Sequence, residues 1–185
     1  MRLKKTCALR DGAVLTLRSL EPEDARETLR VCRQASGETL NLMRYPDEWT
    51  ITDEREAEML RNAQSAAKSL MLGAFLEGKM IGMGSFLPLS NADRVRHRAG
   101  LGISILKAHW GRGVGSAMMQ TLIDEAKKTA LEQLELEVVS TNGRAISLYE
   151  RFGFVEFARH PRMMKYRDGT YADMVLMMLD LQAKA

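Results

Sequence analysis

Stretches in which apolar and polar residues alternate give way, along this chain, to stretches whose apolar residues recur at helical spacing. That change of period separates strands from helices. Thr6 to Leu9 and Ala13 to Leu20 flank Arg10-Asp11-Gly12 and predict a hairpin. Asp-Gly is favoured there because both residues of such a turn take positive φ. Glu21-Pro22-Glu23-Asp24 opens a helix with apolar Leu29, Val31 and Cys32 on its stripe; proline suits the first turn and acids complement the helix dipole. From Ser36 to Thr50 the period fails, and Pro46 and Trp49 suggest a structured loop. Thr52 is a cap for a second helix, Asp53 to Ala67, with Ala57, Leu60 and Ala63 on one face.

A meander follows. Ser69 to Leu76 and Met80 to Leu89 read as strands joined by Glu77-Gly78-Lys79, and Val95 to Leu106 as a third. A helix from about Arg112 to Ala130 presents Val114, Ala117, Met118, Thr121, Leu122 and Ala126 on one side. Leu134 to Val139 alternates as a strand. Asn142 to Phe152 is a short helix stopped by Gly153. Phe154 to Met164 and Tyr171 to Leu181 make a closing hairpin around Arg167-Asp168-Gly169-Thr170. The order ββαα-βββ-α-β-α-ββ predicts an α+β domain with a mixed, mostly antiparallel sheet. No repeat or linker-like run breaks the 185 residues, which read as one domain.

Composition narrows this little. Charged residues make up 28% and hydrophobic residues 45% of the chain, a globular balance. A net charge of +3 is too small to signal nucleic acid, although it suits an anionic ligand. The basic group Arg94, Arg96, His97 and Arg98 reads as a solvated strand end. Cys7 and Cys32 have no paired spacing, so neither a disulfide framework nor a metal site is expected, and a reducing, cytoplasmic setting is the default. The basic start is broken by Arg10 and Asp11 before any export segment, and no apolar run is long enough for a membrane span. The 13 methionines read first as core filling.

The candidate chemistry begins at Leu101 to Ser116, LGISILKAHWGRGVGS: an apolar strand, glycines, then an amphipathic helix. Glycines let backbone N–H groups approach phosphate oxygens, and a helix start adds unpaired donors and a positive dipole end. A P-loop would need Lys-Ser or Lys-Thr at the helix start, where Ser116-Ala117 stand. A dinucleotide fold would place an acid near Glu135 or Glu137, but the spacing is G-x-G-x-G and the further βαβ units are missing. A tight turn with no ligand is the bland alternative.

Trp110-Gly111-Arg112-Gly113-Val114-Gly115 resembles the Q/R-x-x-G-x-G/A loop of the GNAT N-acetyltransferase superfamily, with Trp110 in the Gln/Arg slot, a departure that removes the side-chain donor usual there. Val138 to Phe154 resembles the family's V-x-x-x-N-x-x-A-x-x-L-Y-x-x-x-G-F stretch, through Asn142, Ala145, Leu148, Tyr149, Gly153 and Phe154. The resemblance spans nearly the whole chain. It implies a three-layer α/β/α fold whose twisted sheet splays at the cofactor site, with acetyl-CoA as co-substrate and no metal. It implies that backbone amides from about Arg112 to Ala117, Ser116 included, bind the coenzyme A pyrophosphate, and that Asn142 contacts the cofactor arm. Ile103, Ser104 and Ile105 would pair with pantetheine on a strand that carries a bulge, with an N–H around Ile105 facing the thioester oxygen.

Tyr149 is then the preferred general acid, although an ordinary half-buried tyrosine would look the same. Glu137 is the favoured base. It shares a strand face with Glu135, and His97, Glu48 or a water chain remain alternatives. Tyr45 and Glu48 fall in the loop that lines the acceptor pocket in related enzymes. The expected activity is acetyl transfer to a primary amine by direct attack in a ternary complex; the alternative is a coenzyme A-binding module without turnover. The expected partner is a small-molecule or peptide amine, with neither nucleic acid nor membrane, and a homodimer is compatible with the reading.

Overall fold

The computed structural model describes residues 2–183. The strands are β1 (Lys4–Ala8), β2 (Val14–Ser19), β3 (Leu70–Leu76), β4 (Lys79–Pro88), β5 (Arg98–Ile105), β6 (Gln133–Val139), β7 (Val155–Lys165) and β8 (Tyr171–Asp180). The helices are α1 (Ala25–Glu38), α2 (Asp53–Ser65), α3 (Val114–Ala126) and α4 (Gly143–Arg151). One sheet runs in the order β1-β2-β3-β4-β5-β6-β8-β7, antiparallel throughout except where β5 meets β6. This is the expected α+β, three-layer architecture.

The central strands show why the layers form. In β3, Leu70, Leu72, Ala74 and Leu76 pack into the core shared with α3, while Phe75 and Met71 face the cluster of α1 and α2. Alternation therefore sends apolar side chains to both faces, and β3 reads as a near-continuous apolar run. Met118, Met119 and Leu122 of α3 are fully buried on one side, and Val31 and Leu60 of α1 and α2 on the other. The edges are blunted differently. β1 carries Lys4 and Lys5, and β7 carries Arg159, His160, Pro161 and Arg162, two register shifts and a positive φ at Arg162. Charges, proline and bulges all discourage further strand pairing.

Several boundaries differ from the pattern reading. α1 continues to Glu38, because Ser36 is a buried polar residue whose hydroxyl accepts from the Trp49 indole at 2.9 Å. β5 starts at Arg98, since Val95 and Arg96 donate back to Ala92 in a turn. α3 begins at Val114, after a left-handed Gly113, and ends at Ala126. In the first hairpin only Gly12 has positive φ; Asp11 instead accepts from Ala13 N–H. Thr52 caps α2 through Arg55 N–H as expected. The basic group disperses: Arg96 pairs with exposed Asp93, and Arg98 with Glu135. Among the described residues, no helix is long and apolar enough to cross a membrane. Cys7 and Cys32 are both free thiols.

Candidate active site

Among the described residues β5 and β6 are the only parallel neighbours, and they stay together for a short distance. Arg98, Ala99 and Gly100 pair with Gln133, Leu134 and Glu135, after which the strands part. Arg98 and Glu135 form an ion pair at the fork, with Nη2 to Oε2 at 2.7 Å. Beyond it, Leu101 to Ile105 face Leu136 to Val139 across open space. The register of β5 against β4 is uninterrupted from Ala99 to Ile105. The splay therefore needs no bulge in β5, contrary to expectation; the register shift lies in the β3–β4 pair instead, where Ala74 and Phe75 oppose Gly82 and Met80 and Ile81 of β4 is skipped.

That register also orients the free backbone. Leu106 N–H donates to Ile81 and Leu89 N–H to Arg98, so even-numbered residues of β5 form the hydrogen-bonded pairs with β4. In an antiparallel ladder the intervening residues turn their groups away. The amides of Ile103 and Ile105 consequently point into the splay. The Ile105 carbonyl is already taken, by the Trp110 indole N–H at 2.7 Å. Trp110 thus does retain a side-chain donor, and spends it on the strand. Its ring also lies beneath the Arg144 guanidinium, 5.3 Å from centroid to carbon.

A cleft of about 740 Å³ fills the splay. Of the residues singled out by sequence, Ile103, Ser104, Ile105, Trp110, Gly111, Gly113, Gly115, Ser116, Glu137, Asn142 and Tyr149 line it. At one end stands the start of α3. Its first backbone bond runs from Ala117 N–H to Gly113, which leaves the amides of Val114, Gly115 and Ser116 as donors. Gly111 and Gly113 have φ of 78° and 99°, the left-handed region that glycine tolerates. A Cβ on Gly115 would stand 3.2 Å from Leu148 and 3.4 Å from Ile105, so the glycine keeps this end of the cleft open.

Arg112 and Val114 do not line the cleft with their side chains. Val114 is in the core. Arg112 pairs with Asp11 at 2.6 Å and donates to His109 Nδ1 at 3.0 Å, fastening the first hairpin turn to the loop. Several lining residues escape the sequence reading, and three of them bear on the chemistry. Arg10 and Arg144 are cations with no carboxylate partner among the described residues, flanking the α3 donors. His109 is the third; burial and the neighbouring Arg112 hold its pKa below the usual value, so it is neutral. Arg144 falls at a position that the Asn142 motif leaves unspecified, and Arg10 reaches the cleft only through the fold.

Asn142 caps α4 by accepting from Ala145 N–H at 3.3 Å, and its amide NH₂ has no partner among the described residues. Tyr149, 7% exposed, packs against Phe154 with centroids 6.0 Å apart, and still borders the cleft. Burial pushes its phenol up to about 12, so it stays protonated and remains a donor. The two strand acids part company. Glu135 is held by Arg98, whereas Glu137, exposed and opposite Leu176 of β8, has no hydrogen-bond partner among the described residues. His97 lies in the turn before β5, its carbonyl accepting from Glu132 and Gln133.

Tyr45 and Glu48 stand outside the main cleft. Glu48 closes its own turn by accepting from Tyr45 N–H at 2.7 Å. Tyr45 lines a second chamber of about 200 Å³, which shares Thr39, Leu42 and Met43 with the first. Among the described residues no cluster of three metal-ligating side chains occurs.

The profile of the "Acetyltransferase (GNAT) family" matches residues 36–154. The chain belongs to the GNAT family. A GNAT-family acetyltransferase from Streptococcus pneumoniae is 31% identical, with a TM-score of 0.87 over 90% of this chain and 99% of that one. The putative ribosomal N-acetyltransferase YdaF of Bacillus subtilis is 28% identical over 91% of this chain and 88% of its own. The fold is shared with yncA of Salmonella typhimurium, a putative acetyltransferase solved with acetyl-CoA, at 23% identity and a TM-score of 0.81 over 92% and 96% of the chains. The parted β5 and β6, the glycine loop and the Asn142 helix of this GNAT protein all fall within the span of the family profile.

Proposed function

We propose that this protein transfers acetyl from acetyl-CoA to a primary amine by direct attack within a ternary complex. One observation carries the reading: the amides of Ile103 and Ile105 face a cleft whose opposite wall holds the protonated Tyr149. The α3 amides, Arg10 and Arg144 suit the coenzyme A phosphates. The pantetheine arm runs as a substitute strand along β5. Its thioester oxygen lies against the Ile105 N–H, which stabilises the tetrahedral oxyanion. Binding of similar cofactor by yncA supports acetyl-CoA as donor.

The amine arrives mostly as ammonium, since a free amine near pKa 10 is about one part in a thousand neutral at pH 7. Glu137 lines the cleft, attracts the ammonium and passes a proton from it to water. The neutral nitrogen forms a bond to the carbonyl carbon. Collapse of the tetrahedral species breaks the carbon–sulfur bond, and Tyr149 protonates the departing thiolate. The phenol is then restored from the amine proton through water.

Thiol release from acetyl-CoA with a panel of primary amines tests the proposal. Amine-dependent release is expected. Tight acetyl-CoA binding without release for any amine would leave a non-catalytic coenzyme A-binding module.

A further inference from the structure

The second chamber lies between the segment 39–45 and the end of β7, and adjoins the main cleft, with which it shares the wall residues Thr39, Leu42 and Met43. Its walls combine two chemistries. Leu40, Leu42, Met43, Met163 and Met164 supply apolar side chains among the polar Ser36, Thr39, Tyr45 and Tyr166, and Arg44 and Lys165 add two positive charges. Neither cation meets a carboxylate among the described residues. Arg44 stacks on Trp49 at 4.8 Å, and Lys165 sits over Tyr171 at 5.8 Å. Stacking of this kind holds the cation in place and leaves its hydrogen-bond donors available.

The chamber is also braced. Arg167 donates its backbone N–H to the Tyr45 hydroxyl at 2.9 Å, stacks on that ring at 4.0 Å, and pairs with Asp47 at 2.7 Å. The segment 39–45 is thereby tied to the turn between β7 and β8, so the two walls are positioned before any ligand arrives. Arg44 and Lys165 line this chamber and not the main cleft, where the amine must react.

We infer that the acceptor is an amino carboxylate whose amine and carboxylate are separated by an apolar chain, the carboxylate ending on Arg44 and Lys165. This rests on the acetyltransferase reading above. An α-amino acid would keep its carboxylate beside the amine, in the main cleft, and leave both cations idle. The chamber volume admits roughly six non-hydrogen groups at about 30 Å³ each. A planar guanidinium pairs with a carboxylate through two bonds, and a lysine ammonium adds a point charge.

The test is calorimetric binding to the whole protein saturated with coenzyme A, which requires no turnover. Three probes are compared: 6-aminohexanoate, its isomer 2-aminohexanoate, and hexylamine. We expect 6-aminohexanoate to bind about ten-fold tighter than either. In Arg44→Gln/Lys165→Gln that preference collapses, while thermal stabilisation by acetyl-CoA persists as evidence that the fold stands. Equal or tighter binding of 2-aminohexanoate, or a preference that survives the double variant, overturns the inference. Parallel thiol-release assays keep the two readings apart. Turnover without the chain-length preference sinks the acceptor assignment alone, and binding with that preference but no turnover with any amine sinks the enzymatic reading and with it the acceptor role, leaving only a carboxylate-binding site.

Discussion

The Trp110 indole N–H donates to the Ile105 carbonyl, 2.7 Å away, closing the end of β5 onto the loop that follows it. The bond removes one acceptor from the splay and leaves the neighbouring Ile105 N–H facing the cleft. It also places the indole beneath Arg144, so the phosphate end and the strand end of the site share one side chain.

Trp110→Phe keeps the ring and deletes the donor. Steady-state kinetics should show KM for acetyl-CoA raised about five-fold, the loss expected of one neutral hydrogen bond. An unchanged KM would mean that the bond does not help shape the donor site.

Tyr149→Phe removes the proposed acid while preserving the buried ring. We expect kcat to fall about a hundred-fold with acetyl-CoA affinity retained. Full activity in the variant would assign thiolate protonation to water.

The pH dependence follows from the same phenol. Its folded pKa, about 12, lies above the ordinary value of 10.0 because burial disfavours the phenolate. Its contribution to stability is therefore complete below pH 10 and is lost as pH rises toward 12. Activity should climb with pH as the acceptor amine deprotonates, with no loss from Tyr149 ionisation until above about pH 10. A fall in kcat centred near pH 8, absent in Tyr149→Phe, would contradict the raised pKa.

Gly82 in β4 lets that strand approach β5 closely. A Cβ there would stand 2.8 Å from the Ser104 carbonyl oxygen, which is backbone and cannot swing aside. Gly82→Ala should cost about 2 kcal/mol in denaturant unfolding, by forcing β5 toward the splay. Acetyl-CoA affinity should fall with it. A change of only a few tenths would show that the strands adjust freely.

At the fork, Glu135→Gln breaks the charge pairing with Arg98. The pair is partly shielded, with side chains 35% and 15% exposed, so a loss of about 1 kcal/mol is expected. Thermal unfolding measures it, and high salt should narrow the difference from the native chain.

Much of the fold was legible because strand and helix periods are local properties of side-chain order. α1 was read as ending too early for a specific reason: Ser36 is polar but buried, its hydroxyl satisfied by Trp49 thirteen residues away. The start of β5 was misplaced because Val95 and its neighbours have strand-like composition but turn back on Ala92. Glu135 and Glu137 alternate identically along β6. Only Arg98, brought beside Glu135 by parallel pairing, distinguishes the held carboxylate from the free one.

By itself the sequence determined the order of elements and the donor loop, since glycine φ and unpaired helix-start amides depend on residues adjacent in the chain. It also carried the family resemblance, through two blocks read in order. Tertiary structure decided where β5 and β6 part, what Trp110 does with its donor, and that Arg44 and Lys165 line one chamber. Those relationships join residues far apart in sequence, and depend on register and packing that no local pattern encodes.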